Sequence, residues 1–253
     1  MPEKSRRINS VIFDLDDTLI DWSQQSQPWI ELNGPKVRRV YEFLKSGGLK
    51  PRVDADTFVA TFSEISESEW QSAAENDWRS PSFRETLART MQRAGIDPDK
   101  VDMRGAMEAY EWHMLPGVRI FPDTLPVLNE LRLRGYKIGL VTNAYFPMWM
   151  REVELAEFGI LDLLDAAITS GDTGWLKPHP AIYWRILGLL NTTPERAVFV
   201  GDSPRHDIAG ANETGLFSIL HAPPGLVRER HGIEADYEIG ALIELLPILD
   251  ELG

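Results

Sequence analysis

Two closely spaced aspartates, Asp14 and Asp16, are candidates for acid–base chemistry or for binding a metal ion. They follow an apolar run at residues 11–13 and belong to the segment DLDDT. In open α/β sheets, ligands bind beyond the carboxyl ends of the strands, so both carboxylates are expected at such an edge. Carboxylates one residue apart repel each other, and a divalent cation or a proton on one of them would favour the arrangement. An acidic turn that only caps the next segment is the alternative interpretation.

Two later segments also place polar residues at the expected end of a strand or start of a helix. Thr142 and Asn143 come directly after the apolar run of residues 136–141. A hydroxyl and exposed backbone N–H groups at a strand end can hold phosphate oxygens, although ordinary turn chemistry would explain the same pair. Lys177 lies just before Pro180, where a helix is expected to begin near the same sheet edge. We therefore consider Lys177 a candidate for binding phosphate; a solvated lysine is the alternative.

A further pair of acids, Asp202 and Asp207, follows the apolar run of residues 197–200. The strand would deliver Asp202 to the sheet edge, and Asp207 would lie in the first turn of a helix over residues 204–214. Carboxylates brought together at that edge are suited to holding a metal ion. The alternatives are a turn role for Asp202 and an acid favoured by the helix dipole for Asp207.

The elements that must position these residues are indicated by short apolar runs that alternate with helical patterns. Continuous apolar runs of this length are typical of strands buried on both faces of a parallel sheet. Their alternation with helices predicts an α/β fold with a doubly wound parallel sheet. The expected strands are residues 11–13, 136–141, 166–169, 197–200 and 217–220, and the expected helices are 123–134, 180–190 and 204–214.

Residues 21–115 interrupt this alternation. The stretch has no convincing strand, its apolar residues recur at helical spacing, and prolines divide it. An insertion of about 95 residues after the first strand is too long for a simple loop. The sequence therefore predicts a core formed by residues 1–20 and 116–253 and a helical cap domain over residues 21–115.

Composition restricts the classes of function. The 253 residues include 26 Lys plus Arg against 39 Asp plus Glu, a net charge of −13, and no cysteine. Binding to nucleic acid would need clustered basic residues, and disulfides, thiolate metal sites and a cysteine nucleophile are excluded. No apolar stretch approaches the roughly 18 residues that a membrane span needs. Residues 1–10 form a short basic segment, and the apolar run that follows is too short for a signal peptide. We therefore expect a cytoplasmic protein with a solvated N-terminal tail.

Taken in order, the four signals resemble the motifs of the haloacid dehalogenase superfamily. These motifs are Asp-x-Asp-x-Thr, a Ser or Thr after a strand, a Lys often followed by Pro, and Gly-Asp with a later Asp. The matching residues are Asp14, Asp16 and Thr18, then Thr142, then Lys177 and Pro178, and last Gly201, Asp202 and Asp207. The resemblance covers residues 10–18 and 117–246 and implies a Rossmann-like core. The insertion point is similar to that of members with a helical cap.

The resemblance implies a phosphatase that works through an aspartyl-phosphate and uses Mg²⁺. Asp14 would attack phosphorus as the nucleophile. Asp16 would protonate the leaving oxygen and then act as base on the water that cleaves the intermediate. Mg²⁺ would be held by the Asp14 carboxylate, the main-chain carbonyl of Asp16, and Asp202.

The remaining motif residues would bind and neutralise the phosphate. Lys177 and Mg²⁺ would offset the repulsion between a phosphate dianion and the aspartates. Thr142 and the N–H of Asn143 would bind further phosphate oxygens. Asp207 would orient Lys177 or a metal-bound water rather than bind the metal directly. For aromatic residues near the first motif, such as Trp22, we expect packing, with lining of the opening as the alternative.

The resemblance leaves several functions open. A 2-haloacid dehalogenase would use the same nucleophile on carbon without a metal, but members of that branch resemble Asp-x-Tyr where this chain has Asp16. A phosphomutase would share the motif residues, and a non-catalytic binding protein would be expected to have lost some of them. We expect a Mg²⁺-dependent phosphatase of a small phosphorylated metabolite, either a monomer or a homodimer, with no nucleic-acid or membrane partner.

Overall fold

A six-stranded parallel sheet lies at the centre of the protein in a computed structural model, which describes residues 8–253. The expected N-terminal tail lies mostly outside these residues. The strands are β1 (Ser10–Phe13), β2 (Ile20–Asp21), β3 (Arg119–Ile120), β4 (Lys137–Thr142), β5 (Ala166–Thr169), β6 (Ala197–Gly201), β7 (Phe217–His221) and β8 (Tyr237–Ile239). The large sheet has the order β5-β4-β1-β6-β7-β8, and β2 and β3 form a separate two-stranded sheet. The α/β class and the parallel sheet are therefore confirmed.

The central strand β1 shows why these apolar runs form a buried sheet. Its four residues are all buried, and Phe13 at its end is in register with Leu140 of β4 and Val200 of β6. Side chains of a strand alternate between its two faces. Val11 and Phe13 accordingly join one apolar core, whereas Ile12 joins a second core on the other face. Burial of both faces requires helices on both sides of the sheet.

The helices lie in the connections between the strands, except for the last, which follows β8. They are α1 (Trp29–Ser46), α2 (Ala55–Ser72), α3 (Phe83–Arg93), α4 (Met103–Glu108), α5 (Thr124–Leu133), α6 (Met148–Glu157), α7 (Ser170–Thr173), α8 (Pro180–Leu190), α9 (Ala209–Thr214) and α10 (Leu245–Leu252). Helix α8 covers the core that contains Ile12, and α5 and α10 contribute to the opposite core. Among the described residues, none of the helices has the length and apolar character needed to cross a membrane.

The sequence patterns do not predict every element. Strand β8 carries the exposed Glu238 and lies at the edge of the sheet, where one side of a strand needs no apolar cover. Strands β2 and β3 have two residues each, too few to show alternation. The helix predicted over residues 204–214 begins as a π-helical turn, Pro204–Ile208, before α9 continues it.

Helices α1 to α4 lie between β2 and β3, in the segment interpreted above as an insertion. An aromatic cluster packs α2 and α3 against the segments after α4 and β4. The ring centroid of Phe83 lies 5.9 Å from that of Phe62, 4.7 Å from that of Tyr110 and 4.8 Å from that of Phe146. The N–H of Leu176 also donates to the carbonyl of Trp78. The division into a core (1–20 and 116–253) and a cap (21–115) stays a prediction.

Candidate active site

The carboxyl ends of β1, β4 and β6 open into a pocket of about 370 Å³. Because β1 connects onward to strands on both of its sides, this is the position where open α/β sheets bind ligands. The pocket contains every residue predicted to form a site. Its lining residues are Asp14, Asp16, Asp17, Thr142, Asn143, Lys177, Asp202, Ser203, His206, Asp207 and Arg228.

Asp14 and Lys177 form a buried ion pair at the end of β1. The Lys177 Nζ lies 2.6 Å from Asp14 Oδ1 and 2.7 Å from Asp207 Oδ1, and it donates to the carbonyl of Val141 at 3.0 Å. All three charged side chains are almost fully buried. The single lysine thus holds two carboxylates in fixed positions, one from each of two motifs.

Asp16 has a different environment from Asp14, although only one residue separates them. Its Oδ1 accepts hydrogen bonds from Trp22 Nε1 at 2.9 Å and from Arg151 Nη2 at 3.2 Å. Its Oδ2 accepts from the Thr142 hydroxyl at 2.9 Å. The side chain is about one-third exposed and lines the pocket. The two carboxylates are therefore suited to different tasks.

Asp202 lies at the other side of the pocket and pairs with an arginine. The Nε of Arg228, in the connection between β7 and β8, donates to Asp202 Oδ2 at 2.7 Å. The Nη2 of the same guanidinium donates to Asp17 Oδ2 at 2.6 Å. Asp202 is buried, whereas the Arg228 side chain is 41% exposed and lies at the rim of the pocket. Arg228 thus links the loop after β7 to the motif residues.

Asn143 supports Lys177 through its side chain. Its Nδ2 donates to the Lys177 carbonyl at 3.1 Å, and its Oδ1 accepts from the Lys177 backbone N–H at 2.8 Å. The amide therefore fixes the main chain that carries the lysine. Binding of phosphate by the backbone N–H of Asn143 stays a prediction.

Gly201 shows why the fourth motif has a glycine before its first aspartate. A Cβ at this position would lie 2.4 Å from the Cγ of Asp207, a distance that real Cβ contacts essentially never show. The Asp207 carboxylate packs onto the bare backbone at the end of β6, and its Oδ2 accepts from the Ser203 N–H at 2.9 Å. The missing side chain therefore makes room for the group that holds Lys177.

The accumulation of carboxylates changes the acidity of the site. Burial raises the pKa of Asp14 well above its usual range, and Asp207, Asp202 and Asp16 add to this effect while Lys177 opposes it. Burial and the nearby Asp207 raise the pKa of Asp202 to about 7, against the effect of Arg228. Burial works against protonation of Lys177, but Asp14 and Asp207 outweigh it and raise its pKa.

These carboxylates are suited to a hard divalent cation. Asp14, Asp202 and Asp207 each offer a carboxylate oxygen, and these oxygens lie within 4.8 Å of one another. Oxygen donors of this kind are what Mg²⁺ prefers, and a cation would offset the burial and the mutual repulsion that raise the pKa values of Asp14 and Asp202. The cluster includes Asp207, for which the sequence predicts a role in orienting Lys177 or a metal-bound water. The main-chain oxygen of Asp16 as a metal ligand stays a prediction. Asp207 is also the carboxylate that holds Lys177.

Sequence reasoning missed Arg151 and Arg228 and assigned Trp22 to packing. Arg151 and Glu154 are three residues apart on α6, a spacing that usually marks an exposed ion pair on a helix surface. Both are instead buried. Arg228 lies in a long connection with no periodic pattern, so only the folded chain brings it to Asp202.

Comparison with known proteins shows the family of the chain. A family model described as haloacid dehalogenase-like hydrolase matches residues 8–215. The chain belongs to this family. The match includes all residues of the four motifs and extends through the helices between β2 and β3. The protein is therefore a haloacid dehalogenase-like hydrolase.

Similar members of the family carry names of two kinds. The chain is 28% identical over 250 residues to a glyceraldehyde 3-phosphate phosphatase of Methanopyrus kandleri, covering 97% of this chain and 99% of the relative. It is 29% identical over 251 residues to a phosphoserine phosphatase of Thermus thermophilus, covering 93% and 96%. A crystal structure of a 2-haloacid dehalogenase from Pseudomonas syringae matches with a TM-score of 0.65 and 26% identity, covering 97% of this chain and all of that one.

Proposed function

We propose that the protein is a Mg²⁺-dependent phosphatase that hydrolyses a small phosphorylated metabolite through an aspartyl-phosphate. One observation carries the proposal: two carboxylates lie in one pocket, Asp14 ion-paired with Lys177 and Asp16 hydrogen-bonded through both oxygens. A buried anion next to a cation suits a nucleophile, and a second carboxyl group at the pocket wall suits proton transfer. The phosphatase names of similar proteins support the same reaction class.

In the first half-reaction, a carboxylate oxygen of Asp14 would attack phosphorus and the bond to the ester oxygen would break. The Lys177 ammonium at 2.6 Å favours the ionised form of Asp14 and carries a charge that attracts the phosphate. The Thr142 hydroxyl lies in the same pocket and would donate to a phosphate oxygen. Asp207 would keep Lys177 in place through its contact at 2.7 Å.

Asp16 would serve in both half-reactions. It must carry a proton when the substrate binds, and that proton would pass to the ester oxygen as the alcohol leaves. The resulting carboxylate would then take a proton from the water that attacks the aspartyl-phosphate. Asp16 would thereby regain its proton, and inorganic phosphate would be released from Asp14.

The carboxylates of Asp14 and Asp202 and the main-chain carbonyl of Asp16 would hold Mg²⁺. When bound, the ion supplies positive charge that offsets the repulsion between phosphate and carboxylates. The raised pKa values of Asp14 and Asp202 support this requirement for a cation. The helices of residues 21–115 would act as a cap that excludes water during the first step.

Two rival activities use the same nucleophile. A halide leaves without a proton, so a dehalogenase would have no use for a carboxyl group at Asp16. This argues against dehalogenation by this chain, although a 2-haloacid dehalogenase from Pseudomonas is 26% identical to it. A phosphomutase would pass the phosphoryl group from Asp14 to a sugar. Isomerisation of a sugar phosphate in the presence of a bisphosphate would favour that activity.

The proposal is tested by hydrolysis of p-nitrophenyl phosphate with Mg²⁺ or with EDTA, for the wild type and for Asp14→Asn. We expect release of phosphate that needs Mg²⁺ and falls at least about 1,000-fold in Asp14→Asn, because the nucleophile is lost. Circular dichroism would check that the variant is folded. Equal turnover by the variant would refute the assignment of Asp14, and phosphate release that is unaffected by EDTA would refute the Mg²⁺ requirement.

A further inference from the structure

We propose that Arg151 and Trp22 are positioning residues for Asp16, which fix its Oδ1 so that the catalytic proton is carried and delivered by Oδ2. The inference rests on the proposed phosphatase function and adds to it two residues outside the four motifs. Neither residue lines the pocket, so neither is expected to touch the phosphate.

The hydrogen-bonding partners of Oδ1 exclude a proton on that oxygen. The indole Nε1 of Trp22 at 2.9 Å and the Nη2 of Arg151 at 3.2 Å both donate to it. An indole N–H and a guanidinium are donors only and cannot accept a hydrogen bond. A proton on Oδ1 would therefore face two other hydrogens, and one of the bonds would have to break.

The partner of Oδ2 is of a different kind. The Thr142 hydroxyl lies 2.9 Å away, and a hydroxyl can donate or accept by rotating its hydrogen. When Asp16 is ionised, the Thr142 hydroxyl can donate to Oδ2. When Asp16 is protonated, Oδ2 can donate to Thr142, and the hydroxyl hydrogen is then free for a phosphate oxygen. Thr142 also lines the pocket, so the oxygen able to carry the proton faces the group nearest the reaction.

Arg151 is buried, and its hydrogen bonds hold the guanidinium next to Asp16. It is only 4% exposed on α6, and its Nε donates to Glu154, which is equally buried. The ring of Trp112, from the segment between β2 and β3, lies 5.5 Å from its guanidinium carbon. A buried guanidinium needs hydrogen-bond acceptors, and the Glu154 carboxylate and Asp16 Oδ1 supply them to its Nε and Nη2. Asp16 is thus the only catalytic group that Arg151 contacts among the described residues.

The consequence concerns the step in which the ester bond breaks. As Asp14 attacks phosphorus, the electron pair of the phosphorus–oxygen bond stays on the leaving oxygen, and the proton on Asp16 Oδ2 passes to that oxygen. A basic leaving oxygen needs this proton, whereas p-nitrophenolate leaves readily without it. Loss of the positioning contacts should therefore slow poor leaving groups much more than good ones.

The test compares substrates that differ in the leaving group and little in shape. The value of kcat/KM, which reports the bond-breaking step, is measured for phenyl phosphate, p-nitrophenyl phosphate and 2,4-dinitrophenyl phosphate. The first variant is Trp22→Phe, which removes one N–H and keeps an aromatic ring. The second is the double variant Arg151→Met/Glu154→Gln, which removes the guanidinium without leaving a buried carboxylate unpaired. Arg132→Met, at an exposed ion pair with Asp165, is the matched control.

We expect both variants to lose at least about tenfold in kcat/KM on phenyl phosphate and less than about threefold on dinitrophenyl phosphate, because only the first needs a well-placed acid. The control Arg132→Met should leave kcat/KM unchanged on both esters. An equal loss on all three esters would overturn the inference and leave Arg151 and Trp22 with a structural role. If Arg151→Met/Glu154→Gln does not fold, Trp22→Phe decides alone. If the wild type hydrolyses none of the esters in an Asp14-dependent way, the proposed function itself fails and this inference with it.

Discussion

Lys177 shows how much a single residue contributes to this site. Its ammonium lies between Asp14 and Asp207 at 2.6 and 2.7 Å, and all three groups are buried. In Lys177→Met, two buried carboxylates would lose their counter-charge, which destabilises a protein by about 3–5 kcal/mol. Catalysis should fall by at least about 100-fold, because a charge that attracts the phosphate is removed.

Urea unfolding and phosphate release would measure the two effects of Lys177→Met separately. Adding Asp207→Asn to the variant removes one of the stranded charges and should recover part of the lost stability without restoring activity. Lys100→Met, at an exposed lysine, is the control and should change the unfolding free energy by less than about 0.5 kcal/mol. Unchanged stability of Lys177→Met would show that the two carboxylates do not depend on the lysine.

Lys36 on α1 is the opposite case: its ammonium is buried, and in the described part of the chain its hydrogen bond goes to a backbone carbonyl and not to a carboxylate. Its Nζ donates to the carbonyl of Leu32 at 3.3 Å and lies 5.1 Å from the ring of Trp112. Burial and the positive charge of Arg39 lower the pKa of Lys36 from 10.5 to about 8, against the opposing effect of Glu154. The folded protein therefore carries this charge at a cost at neutral pH.

We expect Lys36→Met to be more stable than the wild type by about 1–3 kcal/mol at pH 7. Because the pKa is lower in the folded state than in the unfolded state, wild-type stability rises relative to the variant between about pH 8 and pH 10.5. The gap between the two proteins should therefore narrow at pH 9.5. Urea unfolding at both pH values would measure it, and a gap of constant size would contradict the depressed pKa.

The residues of the site differ in how far the sequence reveals them. Asp14 and Asp16 are close together in the chain and follow an apolar strand, so local spacing and the parallel-sheet rule together predict their place. Arg151 and Arg228 meet Asp16 and Asp202 only through long-range folding. No local pattern separates such arginines from the many exposed ones, because the burial that distinguishes Arg151 is a property of the packed chain.

At the scale of elements, the end of β6 shows how a strand prepares a site. Gly201 must have no side chain because a Cβ would lie 2.4 Å from Asp207. We expect Gly201→Ala to destabilise the protein by about 1–3 kcal/mol and to lower kcat, since overpacking displaces Asp207 and with it Lys177. Gly188 lies in α8, where an added Cβ would meet no neighbouring side chain or distant backbone atom within 4 Å.

Gly188→Ala is therefore the matched control for Gly201→Ala. The substitution should raise stability by about 0.5–1 kcal/mol, because alanine loses less backbone entropy in a helix than glycine does. Thermal unfolding and turnover of both variants would check the prediction. If both alanines change stability in the same direction, close packing against Asp207 is not what requires a glycine at position 201.

The elements themselves were predictable to different degrees. The central strands β1 and β6 are buried along their whole length, so their continuous apolar composition marks them. Strand β8 alternates in exposure at the sheet edge, and β2 and β3 are held by two paired residues each. Their formation depends on neighbours supplied by distant parts of the chain, such as the pairing of Ile20 with Ile120. Local sequence carries little information about such pairs.

At the scale of the whole molecule, the net charge is −13, so the acids gathered in the pocket add repulsion that lowers the folding stability. Asp14, Asp202 and Asp207 are buried together, and Lys177 and Arg228 neutralise them only in part. A divalent cation that binds the folded protein alone shifts the unfolding equilibrium by mass action. Folding stability should therefore report metal binding without any turnover.

We expect Mg²⁺ at 100 times its dissociation constant to raise the unfolding free energy by about 2.7 kcal/mol. Urea unfolding with and without Mg²⁺, at constant ionic strength, separates this binding effect from general screening of the negative surface. Asp202→Asn should lose most of the increment, because it removes one of the three clustered carboxylates. Asp97→Asn removes the same charge at an exposed helix cap and should keep the increment. An equal increment in both variants would mean that Mg²⁺ acts on the molecule as a whole and not at Asp202.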